Sequence, residues 1–180
     1  LLKAYLDDLH HLELTPLDVP EPELTYIFKH IITQEVAYET LLFAQRRQLH
    51  RSVASWYERH FDPAGQVTQA IEAGRLPERL LESPMAPYYP LLVYHWRQAE
   101  DEAQERMYAW LAGKWAAAQY ANAEAGSYIS RALALTPDTD LEARYDLLLT
   151  REAVNDLRGE REAQAQDLTM LATLAQERND

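Results

Sequence analysis

Leucines at positions 2, 6, 9 and 12 recur at spacings of three and four, the period that gathers side chains on one face of an α-helix. They predict an amphipathic helix over residues 1–12. The period then breaks, because Thr15 to Pro22 holds three prolines, each lacking a backbone donor. Beyond them Leu24–Phe28 is β-branched and aromatic, the composition of a short strand, and Leu12-Glu13-Leu14 is placed to pair with it across the loop. Helical spacing returns from Lys29, with Phe28, Ile32 and Val36 on one face and Ile31, Tyr38 and Leu42 beside it. A second helix is expected over 44–61, striped by Leu49, Val53, Trp56, Tyr57 and His60 and stopped by Asp62-Pro63-Ala64-Gly65.

Residues 66–86 hold a weaker helical stretch ending in Ser83-Pro84-Met85-Ala86-Pro87, read as linker. Three helices are then expected over 88–99, 101–119 and 122–135, the last ended by Thr136-Pro137. Thr139 and Glu142 form a capping box, in which hydroxyl and carboxylate each satisfy an orphan amide. The helix they start uses Leu141, Tyr145, Leu148 and Leu149 and ends near Gly159, where glycine suits a left-handed stop. A final helix runs from Glu160 with Leu168, Leu171, Leu174 and Ala175. Short helices joined by short turns predict antiparallel pairs. The expected fold is predominantly all-α: a winged-helix-like part with a small β-hairpin over 1–61, a linker over 62–86 and helical repeats over 87–180.

Composition agrees. Of 180 residues 47% are hydrophobic and 26% charged, with only five glycines, and straight-chain residues that cost little side-chain entropy in a helix dominate. Net charge is −12. Residues 1–60 carry 6 basic against 9 acidic side chains (−3), 61–120 carry 5 against 8 (−3), and 121–180 carry 6 against 12 (−6). Such a surface repels phosphate backbones and anionic lipid. With no cysteine, disulfides and thiolate metal sites are excluded, which fits a reducing, cytoplasmic setting. No apolar run reaches the ~18 residues of a membrane span. The chain opens mid-pattern and without methionine, as an excised piece would.

Placing Pro137 at the closing proline of a 34-residue tetratricopeptide repeat puts Ala132, Ile129, Ala125 and Gly113 at its Ala, aromatic, Ala and Gly positions. Small residues let two helices approach, and the bulky one plugs the gap. Ala109 and Ala116 stand where Trp and Tyr are usual. The next copy in that register puts Gly159 at the helix-crossing alanine and Leu171 at the proline. More specifically, Tyr26–Leu42 with Arg46, Arg47, His50 and Arg51 resembles the stretch after the nucleotide-binding region of multidomain bacterial signalling ATPases, the STAND/AAA type attached to class III adenylate/guanylate cyclases or transcriptional regulators. Tyr88–Trp96, Ala121–Ala125 and Arg131–Leu135 look like the first repeats of their array. The resemblance implies a non-catalytic protein-interaction and relay module. Its partners would be its own upstream ATPase domain and a further protein on the repeats.

Candidate chemistry is sparse. No G-x-x-x-x-G-K-[ST] phosphate loop occurs. Of six histidines, only His10 and His11 lie close in sequence, and on a helix they diverge by ~100°. His30 is expected to order the strand-to-helix corner and His95 to pack beside Trp96. Neither metal nor cofactor is expected. The acid pairs Glu35/Glu39 and Glu142/Asp146 share helix faces as solvated surface, with no base converging on them. Arg46, Arg47, Arg51 and Arg59 make helix 44–61 locally basic. Contact with an acidic face of the upstream domain is the favoured reading, and a DNA-binding winged helix with a helical dimerisation tail is the alternative. Of the aromatic stretch Tyr88, Tyr89, Tyr94, Trp96, Tyr108, Trp110, Trp115 and Tyr120, most are expected in the core and about a quarter exposed. Tyr120 and Asn122, at a helix junction, are the candidate recognition residues.

Overall fold

The computed structural model describes residues 2–19, 25–67, 69 and 78–178. Helix α1 (Leu2–His11) precedes a two-stranded antiparallel hairpin of β1 (Leu17–Val19) and β2 (Thr25–Tyr26), then α2 (Ile31–Glu39) and α3 (Phe43–Phe61). Two 3-10 turns, Glu78–Glu82 and Ala86–Tyr88, lead into α4 (Tyr89–Gln98), α5 (Glu102–Ala118), α6 (Asn122–Leu135), α7 (Leu141–Arg158) and α8 (Arg161–Arg178). The chain is predominantly helical, as its periodicity predicts.

The hairpin pairs differently from expectation. Its partner for β2 is Leu17–Val19, between the prolines, with Leu17 opposite Tyr26. Leu12-Glu13-Leu14 instead turns out of α1, with Glu13 at φ 55°. Pairing still reaches it at one point, since the Lys29 amide donates to the Leu14 carbonyl at 3.0 Å. Proline removes donors only at its own positions, so Leu17 to Val19 keep theirs. His30 precedes α2 in extended conformation, and its side chain makes no capping bond.

Two compact units form, residues 1–46 and 47–180. The division falls inside α3 and not at the Asp62-Pro63 breaker. In the first unit Thr15 is the one buried residue among those described, and α2 buries none. The second unit holds the apolar core. The expected linker over 62–86 contributes to it: Val67, Leu80, Met85 and Ala86 are buried, and the Tyr89 hydroxyl donates to the Leu80 carbonyl at 2.7 Å. The weaker helical stretch read there falls largely on residues 68 and 70–77, outside those described. Few and scattered, these apolar residues leave no period to read, yet each joins the same core cluster as the buried residues of α4 and α5.

From α4 onward each helix packs on the next. The α5–α6 crossing turns on Gly113. A Cβ there would stand 2.6 Å from Ile129 Cγ1 and 3.2 Å from the Ile129 backbone nitrogen, so glycine is what lets the two backbones approach. Ala109, Ala112, Ala125 and Ala132 are fully buried around it.

The following pair does not repeat at 34 residues. Asp101 and Asp140 cap α5 and α7 alike, accepting from Gln104 N at 3.3 Å and Ala143 N at 3.2 Å, and they lie 39 positions apart, as do Asn122 and Arg161 at the starts of α6 and α8. Asp140 is therefore the cap of α7 in place of Thr139: its carboxylate already holds the orphan amide a threonine would seek. Gly159 ends α7 at φ 72° with open space about it. It is the left-handed stop and not a crossing residue.

Gly113→Ala should destabilise the second unit by about 1–2 kcal/mol despite alanine's better helix propensity. Ile129→Val in that background should recover part of the loss, as read by urea unfolding.

Candidate interaction surfaces

Three of the four arginines expected to make a basic face, Arg46, Arg47 and Arg51, are paired within the molecule. Arg46 donates through Nε to the Leu41 carbonyl at 3.0 Å, pairs with Glu39 at 3.1 Å and lies 5.0 Å over the Tyr38 ring. Arg47 meets Glu100 at 2.8 Å and Arg51 meets Asp101 at 3.7 Å, both at the α4–α5 turn. Spacing along one helix showed the cations; carboxylates some fifty residues away were invisible to it. Of the acid pairs, Glu39 is engaged by Arg46, and Asp146 by Lys114 at 2.7 Å and Trp110 Nε1 at 3.1 Å.

Of the eight aromatics Tyr94 and Tyr120 are exposed and the rest lie in or against the core. Tyr120 is 83% exposed and sits at φ 60° in the α5–α6 turn. A bulky residue costs about 1–2 kcal/mol there, and the fold gains no burial from the ring. Two residues on, the Asn122 Oδ1 is buried and has no hydrogen-bond partner among the described residues.

A groove that the sequence reading missed runs along α7 between α6 and α8. Arg144, Arg151 and Arg158 recur every seventh residue, hence on one stripe of α7. They floor two clefts of about 600 and 410 Å³ that share Ser130 and Arg151. Arg144 donates to the Thr136 carbonyl at 3.0 Å and pairs with exposed Asp138 at 3.1 Å. Arg158 pairs with Glu160 at 2.7 Å. Its guanidinium lies where a Cβ on residue 126 would approach within 3.1 Å, so Gly126 makes room for it. The seven-residue arginine spacing was the available signal.

Buried or half-buried acids tie helices of the second unit together. Glu105, 3% exposed, accepts from Arg97 Nε and Arg131 Nε, each at 2.7 Å. Burial pushes its carboxyl up, but the hydrogen bonds and charges of Arg131 and Arg97 outweigh that and hold it below the ordinary range. Asp167, 1% exposed, accepts from Arg151 Nε at 3.1 Å and Asn155 Nδ2 at 2.9 Å. Glu58 accepts from Trp96 Nε1 at 3.1 Å and the Tyr108 hydroxyl at 2.8 Å. Here burial prevails over those bonds and raises the carboxyl.

The first unit presents an apolar face. Ile31 and Ile32 are each 69% exposed and Leu42 70%, with Ile27, Phe28 and Val36 also open. The period that aligned Phe28, Ile32 and Val36 normally marks a core-facing stripe. Among the described residues no three His, Asp or Glu side chains gather as metal ligands would, and no helix is long and apolar enough to cross a membrane. Comparison with protein-family models, curated proteins and solved structures finds no match to this chain.

Glu105→Gln should cost about 1.5–3 kcal/mol at neutral pH, the range for hydrogen bonds to a charged group; the half-exposed arginines can rehydrate, which holds it below a fully buried pair. With a depressed folded pKa, this carboxylate contributes stability above its unfolded value of about 4.5 that is lost as pH falls below it. Urea midpoints measured from pH 7 to 3 should fall less steeply for the variant. Tyr120→Gly should raise the thermal midpoint, by a gain of about 0.5–1 kcal/mol.

Proposed function

We propose that this chain is a non-catalytic protein-interaction and relay module of a larger signalling ATPase. In this reading the first unit is the closing part of a winged-helix-like module. Its apolar face is covered by the neighbouring ATPase domain of the same protein. Helices α4 to α8 are TPR-like repeats that receive a second protein, with the α6–α8 groove and the Tyr120–Asn122 turn as docking positions.

The observation that carries the reading is the apolar face of a unit that buries no hydrophobic side chain among its described residues. Apolar surface of this extent is rarely left open on a finished fold and marks a contact with other protein. The resemblance of Tyr26–Leu42 to the region following a nucleotide-binding domain supplies the class of the missing contact. The internal pairing of Arg46, Arg47 and Arg51 supports protein contact over the DNA-binding alternative, which needs cations free for phosphates.

The complete reading frame should encode a phosphate loop upstream of Leu1. In the intact protein α2 amides should exchange with deuterium at least tenfold more slowly than in the 180-residue chain. Ile32→Glu should abolish that protection while leaving exchange in α5 and α6 unchanged. A frame without the loop, or an α2 equally unprotected in both, refutes the proposal. Failure of duplex DNA to shift with the chain at low salt removes the alternative.

A further inference from the structure

His50 on α3 and His95 on α4 meet Nδ1 to Nδ1 at 2.8 Å, their rings 5.1 Å apart and tilted by 41°. His50 is buried, at 6% exposure, and Tyr94 stands edge-on to it at 5.5 Å and 80°. Tyr94 also meets His95 at 5.2 Å. The sequence predicts His95 packed beside Trp96. Its bonding partner instead comes from a different helix, 45 residues away.

A hydrogen bond between two imidazole Nδ1 atoms needs one N–H and one bare nitrogen. Two neutral rings satisfy this, and so does one neutral ring facing one charged ring. Two charged rings cannot: each Nδ1 then carries a proton, and two donors of like charge are aimed at each other across a hydrogen-bond distance. We propose that this contact is a proton-operated latch between α3 and α4, closed while at least one ring is neutral and released when both are charged.

The surroundings set its direction. On α3, Arg47 lies one turn before His50 and Arg51 directly after it, and both are paired with carboxylates at the α4–α5 turn, Glu100 and Asp101. On α4, Arg97 is drawn to Glu105, and Tyr94 offers a ring edge and no charge. Two turns along α3, Glu58 is occupied by Trp96 and Tyr108. Burial holds His50 below the ordinary imidazole range, and burial together with the neighbouring His50 does the same for His95.

Both rings therefore bind protons less tightly folded than unfolded, so the closed state is favoured above the unfolded value of about 6.5. It loses that advantage as pH falls from there toward the lower folded values. Glu58, raised by burial, titrates with the opposite sign and cannot imitate the effect. The latch acts on α3, the helix inside which the two compact units divide. It stands whether or not the docking reading above is correct.

Hydrogen exchange of the whole chain at pH 7.5 and 5.5, corrected for intrinsic rates, tests it. Amides of α3 around His50 should lose up to about tenfold in protection relative to α6 for each ring that titrates, since pH 5.5 lies about one unit below the unfolded value. His95→Asn, which keeps a donor and acceptor but takes no charge, should cut that pH dependence to the part His50 retains through its own burial, and His11→Asn should leave it intact. Equal pH dependence in His95→Asn, or none in the unaltered chain, overturns the latch. Imidazole NMR of the unaltered chain gives a readout that does not rely on the variant folding. Both rings should titrate below about 6.5, with α3 protection lost as the second step completes. Protection that survives with both rings charged likewise overturns it.

Discussion

A carboxylate taken out of water costs several kcal/mol unless donors reach it from the right directions, and this requirement recurs at the junctions of the second unit. Glu58 leaves α3 to accept from Trp96 of α4 and Tyr108 of α5. Glu105 of α5 is held between Arg97 of α4 and Arg131 of α6. Asp167 of α8 is held by Arg151 and Asn155 of α7, and Arg151 reaches on to Ser130 of α6 at 3.4 Å. Each acid ties its own helix to two others or, through Arg151, to the helix beyond. Apolar contacts tolerate sliding; a buried acid with two or three donors does not. Gly113 against Ile129 sets how closely α5 and α6 approach, and the acids set the register at which the helices stop.

The two units solve the burial problem differently. Residues 47–180 close their apolar stripes against one another, drawing in even the proline-broken stretch around Leu80 and Met85. In residues 1–46, by contrast, Ile31, Ile32 and Val36 stay open and a two-stranded hairpin offers little to cover them. Below about 40–50 residues a chain seldom buries enough surface to offset its ordering entropy. The stripe on α2 is left with no cover among the described residues.

Charge shows a similar split between what a chain carries and what its surface presents. Arg46, Arg47 and Arg51 of α3 and the stripe on α7 look basic along the helix, and the fold brings an acid to each. Arg151 is committed to a buried carboxylate, whereas Arg144 and Arg158 are paired with exposed ones. Exposed pairs are worth little and exchange readily with water or another anion. The cations at the two ends of the α7 groove are thus held less firmly than Arg151 at its middle.

Local signals were legible in the sequence. The 3.6-residue period located α3 and α4 to α8, Gly159 announced the left-handed stop of α7, and the small residues about Gly113 announced a close crossing. Each depends on residues within a few turns of one another, and spacing reports such geometry directly. The sequence did not disclose which strand β2 meets, that Asp140 displaces Thr139 as a cap, or that His50 faces His95. Those outcomes were decided by tertiary structure, because each depends on which of several competent groups arrives first at one amide, carboxylate or ring nitrogen, and that arrival is set by the packing of helices far apart in the chain.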